Sequence, residues 1–408
     1  MSSSPFKIGL LGFGTVGSAF ASLLEERSES VAALTGLEPT ICGVLTRSRG
    51  SFEEILGSCD LLVELIGGIE PAREYLLRAM AARKDVVTAN KQLLCEHGEE
   101  LFESAREHGV QLRFEASVAG VIPVIRVLQE SLAGAHVERI HGIVNGTTNF
   151  ILSEMERGAS YAQALAEAQR QGFAEADPSE DVSGRDAAAK MAILARLAFD
   201  ARVHIDDVRF EGIEGITPGD IAYARDLGLA LKLIGTAERL EDGISVRVHP
   251  TFLYAAHPLA SVGGSFNAVT IESEAITEIT LSGPGAGGMQ TASAVLGDLV
   301  AAASPAGSRP PGAAAAVPIV QDVVSAFYVH MEVDDRPGVL AQIAAHLGEE
   351  GASIKSVVQR GLGEAAQLVM VIHPLPESRL RAAAERIGEL EFVRSAPRAI
   401  RVIDEEFE

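Results

Sequence analysis

Asp186 and Lys190 stand four positions apart in the stretch Arg185-Asp186-Ala187-Ala188-Ala189-Lys190-Met191-Ala192-Ile193-Leu194. On a helix, that spacing places both side chains on one face. Their neighbours are small or apolar, and a charged pair is costly to bury in such company unless it serves something. An ammonium fixed by a carboxylate can stabilise and protonate an oxygen that gathers negative charge, as a carbonyl does on reduction. The plainer reading is an i,i+4 ion pair on a solvated face, which contributes a few tenths of a kcal/mol. Spacing alone leaves both readings open. Upstream, Glu175 and Asp177 flank one alanine and precede Pro178. Two carboxylates on a stiff turn can grip an ammonium group, or they can simply cap the next helix.

A second constellation opens the chain. Gly12-Phe13-Gly14-Thr15-Val16-Gly17 follows the apolar run from Phe6 to Leu11 and leads into the helical stretch from Ser18 to Leu24. Strand, glycine turn and helix in this order form a dinucleotide fingerprint. Gly12 permits the tight turn, Gly14 the approach of a pyrophosphate, and Gly17 close packing of helix on strand. Free N–H groups at the helix start favour the phosphates. At the end of the second strand, where an acidic residue would hold a ribose 2′-hydroxyl, the chain has Thr46-Arg47-Ser48-Arg49. Two guanidiniums suit a 2′-phosphate. We therefore expect NADP as cofactor, with NAD as the weaker alternative.

These groups need a scaffold. Strand-like segments at 40–46, 60–65, 85–88 and 111–116 alternate with helical ones at 51–56, 71–83 and 98–108, which predicts a doubly wound parallel sheet of the Rossmann type over residues 1–135. Glu64-Leu65-Ile66-Gly67-Gly68 and Thr88-Ala89-Asn90-Lys91 follow the third and fourth strands, at the edge where ligands sit in such sheets. Residues 136–284 read as an α+β domain: a strand at 137–144, helices at 148–156, 161–171 and 185–199, then several mostly antiparallel strands. The apolar helix predicted over 287–303 is expected to return to the first domain, and the glycine run from Ser282 to Gly288 ahead of it allows close backbone approach to a ligand. Residues 304–323 read as a Pro/Gly/Ala-rich linker. Residues 324–408 show a β-α-β-β-α-β pattern of the ferredoxin-like kind.

Composition narrows the function. The chain has 408 residues, 47% of them apolar, and a formal net charge of −22. A phosphate backbone or anionic membrane would be repelled by that average field, so neither is an expected partner. No apolar run is long enough to span a bilayer, and residues 1–5 lack the regions of a signal peptide. Cys42, Cys59 and Cys95 match neither a disulfide framework nor a zinc site. A cytoplasmic enzyme is expected. The fingerprint starts too early for a kinase domain to precede it, so a monofunctional chain is expected.

The ordered set of Glu64–Gly68, Thr88–Lys91, Glu115-Ala116-Ser117-Val118-Ala119-Gly120, Asn145-Gly146-Thr147-Thr148-Asn149, Gly172–Pro178 and Gly184–Lys190 resembles the homoserine dehydrogenase family from residue 6 to about 303. The resemblance implies reversible, nicotinamide-dependent reduction of L-aspartate 4-semialdehyde to L-homoserine. It assigns Lys190, Asp186 and Lys91 to catalysis. It assigns Glu175, Asp177, Gly146 and Thr147 to substrate, Ile66, Gly67 and Lys91 to the nicotinamide end, and it implies that the glycine run returns Gly285 to the cofactor. Glu115, Val118, Gly120 and Ile122 resemble a monovalent cation site, usually sodium, although Val121 departs from the small residue common there. The 47–60 segment is shorter than usual in the family. Residues 325–403 resemble an ACT domain: Asp335-Arg336-Pro337-Gly338-Val339-Leu340 matches D-x-P-G-x-L, and the resemblance implies threonine as a feedback effector and a homodimer or homotetramer. Two other readings remain: a dehydrogenase of another small amino-acid aldehyde, and a catalytically silent NADP-binding sensor.

Overall fold

The computed structural model describes residues 4–285, 287–304, 317–361 and 364–403. Most of the expected linker, 305–316, lies outside them, as do Ala286 of the glycine run and residues 404–408 of the expected ACT domain.

Strands β1 (Ser4–Leu11), β2 (Leu37–Leu45), β3 (Leu61–Glu64), β4 (Asp85–Thr88) and β5 (Leu112–Arg113) form a parallel sheet in the order β2-β1-β3-β4-β5. Alternate residues feed two cores. Ile8, Leu10, Leu61 and Val63 pack against Phe20 and Leu24 of the helix Thr15–Thr35 and against Val295 and Leu299 of the helix Gly288–Ala303. Leu11, Leu62 and Val86 face Leu76, Met80 and Leu101 of the helices Ala72–Ala81 and Lys91–His108. Both faces are apolar because both are covered, as a doubly wound sheet requires. The helix after β4 starts at Lys91, earlier than the sequence pattern implied. Asn90 caps it, accepting from Leu93 N at 3.1 Å, and non-helical dihedrals at His97 interrupt it where the sequence reading had begun it.

A second sheet of ten strands holds the rest. Its strands are β6 (Arg139–Ile143), β7 (Arg209–Phe210), β8 (Leu229–Leu240), β9 (Gly243–Tyr254), β10 (Phe266–Ser273), β11 (Thr277–Pro284), β12 (Val324–Asp334), β13 (Ile354–Gly361), β14 (Ala365–Pro376) and β15 (Arg398–Ile403). The order is β11-β10-β6-β8-β9-β15-β12-β14-β13, with β7 beside β9. The last four strands of that path carry the ferredoxin-like order. They join the catalytic strands through a short parallel seam, Arg401↔Thr251 to Ile403↔Leu253. The end of the expected linker is fastened too: Ile244 N donates to Pro318 O at 2.8 Å, and Val320 N to Ile244 O at 2.7 Å.

The helix Arg185–Phe199 lies on β8. A Cβ at Gly235 would stand 2.3 Å from Met191 Cγ, so this close approach requires glycine.

Candidate active site

The fingerprint folds as its spacing demands. Gly12 has φ +97°, and a Cβ there would meet Leu65 O at 2.4 Å. A Cβ on Gly17 would lie 2.3 Å from Gly12 O, so helix and loop touch. Around Gly14 the space is open for 4 Å, the room a pyrophosphate needs. Thr15 meets Gly288 at the start of the returning helix, and Phe13 and Ile66 are exposed apolar side chains on this face. Thr46 to Arg49 form a tight turn closed by Thr46 N to Arg49 O at 2.7 Å, and leave Arg47, Ser48 and Arg49 in solvent.

Glu64, wholly buried at the end of β3, shapes the next loop. Its Oε1 accepts from Ile66 N (2.7 Å) and Gly67 N (3.0 Å), and its Oε2 from Thr88 Oγ1 (2.6 Å). Asn90 Nδ2 donates to Gly68 O at 2.6 Å. The loops after β3 and β4 are thus one hydrogen-bonded unit, and Lys91 emerges from it.

Val16, Gly67, Gly68, Lys91, Gly120 and Lys190 are among the residues lining a cavity of about 330 Å³. The glycine loop and both lysines therefore open on one space. Asp186, only 3% exposed, sits between the lysines. Its Oδ1 pairs with Lys91 and its Oδ2 with Lys190 Nζ at 2.7 Å; Lys190 Nζ also donates to Val144 O at 2.8 Å. Burial alone would raise the Asp186 pKa, but the two ammoniums prevail and hold it well below the carboxylate range. Burial pulls the Lys91 pKa down, and its Asp186 partner more than reverses this, leaving it raised. The i,i+4 pair is not on a solvated face.

Asn145 adds a link that spacing did not reveal. Its Nδ2 reaches Asp186 Oδ2 (2.8 Å) and Asp181 Oδ1 (2.7 Å), while its Oδ1 accepts from Thr148 N (2.8 Å) and caps the helix Gly146–Glu156. Asp181 is raised by burial and by the Asp186 charge. The sequence signal for Asn145 was its place at the head of the Asn145–Asn149 motif, which gave it no role of its own.

The other expected residues divide. Thr147 Oγ1 donates to Phe173 O at 2.6 Å, tying down the loop that carries Glu175 and Asp177. A Cβ on Gly146 would strike Ser265 O at 2.4 Å, so Gly146 serves packing. Glu175 and Asp177 lie on an exposed loop and do not line the cavity; Asp177 Oδ1 accepts from Ser179 N at 3.1 Å, a capping contact. Glu115 spends both carboxylate oxygens on Ile125 N (2.8 Å) and Arg126 N (2.9 Å). Burial, with Asp298 nearby, pushes its pKa up to about 7. Val118 and Ile122 are buried beside it, and a Cβ on Gly120 would meet Gly285 O at 2.4 Å. In the C-terminal unit, Gly338 (φ +89°) is the N-cap of the helix Val339–Glu349, and Pro337 lies just ahead of it. Asp335 Oδ1 accepts from Gln359 Nε2 at 3.2 Å; Val339 is buried and Leu340 exposed.

Comparison with known proteins bears on this geometry. Family models described as homoserine dehydrogenase, NAD binding domain, and homoserine dehydrogenase match residues 12–115 and 123–300, and one described as ACT domain matches 328–392. The homoserine dehydrogenase of Corynebacterium glutamicum is 43% identical over 97% of this chain and 95% of its own length. The chain belongs to the homoserine dehydrogenase family. The Mycobacterium tuberculosis family member is 42% identical over 98% of both chains. A crystal structure of the Thiobacillus denitrificans homoserine dehydrogenase superposes with a TM-score of 0.91 at 38% identity, covering 98% of this chain and 99% of that one. A hyperthermophilic archaeal homoserine dehydrogenase, solved in complex with NADPH, superposes at 0.63 with 28% identity over 73% of this chain and 97% of its own. In family terms the parallel sheet is the nicotinamide-cofactor domain, and the Asp186 cluster lies where that domain meets the catalytic one. The ACT domain is consistent with regulation.

Proposed function

We propose that the chain catalyses reversible reduction of L-aspartate 4-semialdehyde to L-homoserine with NADPH preferred over NADH, and that Lys190 is the acid–base group. The observation that carries this reading is the buried Asp186 clasped by Lys91 and Lys190 on the cavity that the glycine loop also lines. The nicotinamide supplies the hydride when bound. An ammonium has three donors; among the described residues Lys190 spends two, on Val144 O and Asp186, which leaves one for a substrate oxygen. Asp186 fixes that direction, and Lys91 adds positive charge beside the same oxygen. In oxidation Lys190 accepts the proton and must start neutral, so homoserine oxidation rises toward alkaline pH. Glu175 and Asp177 would take the substrate ammonium if their loop turns inward. Thr147 anchors that loop, and Gly146 opens the helix that carries Thr147.

Arg47, Ser48 and Arg49 support NADP: their turn leaves the guanidiniums free for a 2′-phosphate. A sodium ion fits the Glu115 region. The buried Glu115 and Asp298 share one guanidinium, that of Arg126, and a cation held by Glu115 and the carbonyls of Val118, Gly120 and Ile122 would supply the further positive charge, stiffening the bend next to Gly285. Open edges at β11 and β13 favour a homodimer or homotetramer, with Asp335 to Leu340 as the threonine-sensing turn at a shared ACT edge. Three unpaired cysteines suit a reducing cytoplasm.

The test is NADP-dependent oxidation of L-homoserine by purified protein, with Lys190→Ala alongside. Wild-type turnover with loss of roughly a hundredfold or more in kcat/KM for the variant is the expected result. Near-normal turnover of Lys190→Ala would refute the assignment, and no turnover of the wild type would leave the sensor reading.

A further inference from the structure

A cavity of about 490 Å³ lies at the seam where the catalytic and ACT strands join, under the helix Glu377–Gly388. Glu211, Phe327, Glu377, Arg381, Glu385 and Arg401 are among its lining residues. The Glu377 carboxylate serves three guanidiniums at once: it pairs with Arg401, accepts from Arg381 Nη2 at 2.9 Å, and lies 3.7 Å from Arg209 Nη1. Glu377 alone does not balance the three, and Glu211, which also faces Arg401, makes up part of the difference. Arg401 is 8% exposed, and its Nε has no hydrogen-bond partner among the described residues. A buried, under-used guanidinium is expensive and is a place for an anionic oxygen. Glu211 and Glu385 line the same space, so a simple anion would meet repulsion as well.

We propose that this cavity binds a free α-amino acid with a small side chain, its carboxylate on Arg381 and Arg401 and its ammonium on Glu211 or Glu385. The volume suits such a ligand with a few waters. This extends the proposed regulation to a second site, separate from the Asp335–Leu340 turn.

The position also explains how occupancy reaches the chemistry. The Glu211 carbonyl stands 3.1 Å from where a Cβ on Gly184 would be, and Ile213 N donates to Val182 O at 2.9 Å. Gly184 is the N-cap of the helix that carries Asp186 and Lys190, and Asp181, bonded to Asn145, directly precedes Val182. A ligand that draws Glu211 into the cavity therefore acts on the start of the catalytic helix, and its differential affinity for two positions of that loop sets the coupling.

Isothermal titration of the full chain with L-threonine, L-serine, L-isoleucine and L-methionine tests the site, with acetate and ethylammonium as half-ligand controls. Ala384→Leu fills the cavity from the helix without touching an ion pair, and Arg401→Met removes the guanidinium. In an Asp335→Ala background, which removes the turn as another binder, both should weaken the remaining amino-acid binding roughly tenfold or more. Ala384→Leu should also keep turnover measured with substrate and cofactor alone while losing the effect of the added amino acid on it. Binding that survives Ala384→Leu in the Asp335→Ala background, or that Asp335→Ala alone abolishes, overturns the proposal, as does acetate binding as tightly as the amino acids or no binding at millimolar concentration. Titration reads binding whether or not homoserine is oxidised, so failure of the dehydrogenase reading would show separately.

Discussion

Asp186 and Glu115 are equally buried, each 3% exposed, yet they are driven in opposite directions. Asp186, in the catalytic domain, lies between two ammoniums and is held strongly ionised. Glu115, in the cofactor domain, has backbone N–H partners and a neighbouring Asp298, and rises to about 7. Burial sets the stakes, and the charge of the partners decides the outcome. In one place the protein keeps a fixed charge to aim a lysine. In the other it carries a shortage of positive charge.

The contrast can be broken most severely at Asp186. Asp186→Asn should lower kcat/KM for homoserine roughly a thousandfold while far-UV circular dichroism is unchanged, because two lysines lose the charge that holds them. Activity within about threefold of wild type would show that the clasp is only structural.

Asn145→Ala is the next largest. It removes the amide between Asp181 and Asp186, leaving a half-buried and a buried carboxylate without the bridge between them. A fall of roughly tenfold to a hundredfold in kcat, with a smaller change in KM, is expected from a lost charge-assisted bond. Steady-state kinetics across pH should show the loss at every pH.

Cofactor choice gives a smaller effect. Arg47→Ala combined with Arg49→Ala should shift the ratio of kcat/KM for NADP over NAD toward NAD by roughly tenfold. An unchanged ratio would leave these arginines as ordinary solvated side chains.

The pH dependence of stability sharpens the comparison by sign. Asp186 is depressed, so its contribution is present above its unfolded value of 3.8 and lost only as pH falls below it. Glu115 and Asp298 are raised from 4.5 to about 7 and from 3.8 to about 6. Their contribution is present below the unfolded values and lost as pH rises through the folded ones. In sodium-free buffer the wild-type Tm should therefore decline as pH climbs from 4.5 to 7, and Glu115→Gln should flatten that slope. Sodium chloride should restore Tm at neutral pH more than choline chloride of equal ionic strength; equal effects of the two salts would remove the cation from the site.

Much of this protein is local and therefore legible. A glycine turn between a strand and a helix has few alternatives, so Gly12, Gly14 and Gly17 announced their roles, as did the apolar helix carrying Asp186 and Lys190. The Glu115 carboxylate reads as a cation ligand; that it also takes two backbone N–H groups was not legible, because nothing in its segment shows that Ile125 and Arg126 turn back to it. Glu175 and Asp177 read as a pair, but the turn exposes both and spends Asp177 on a cap.

The sequence by itself determined which segments are strands and helices, which residue types are available for hydride and proton chemistry, and which family the chain resembles, because these depend on periodicity and near-neighbour chemistry. Tertiary structure alone decided that Lys91 meets Asp186 across 95 positions, that Asn145 bridges two carboxylates, and that β15 docks on β9 to make one sheet and a charged cavity. Contacts between distant segments follow from packing of whole surfaces, and no local pattern encodes which surface will be met.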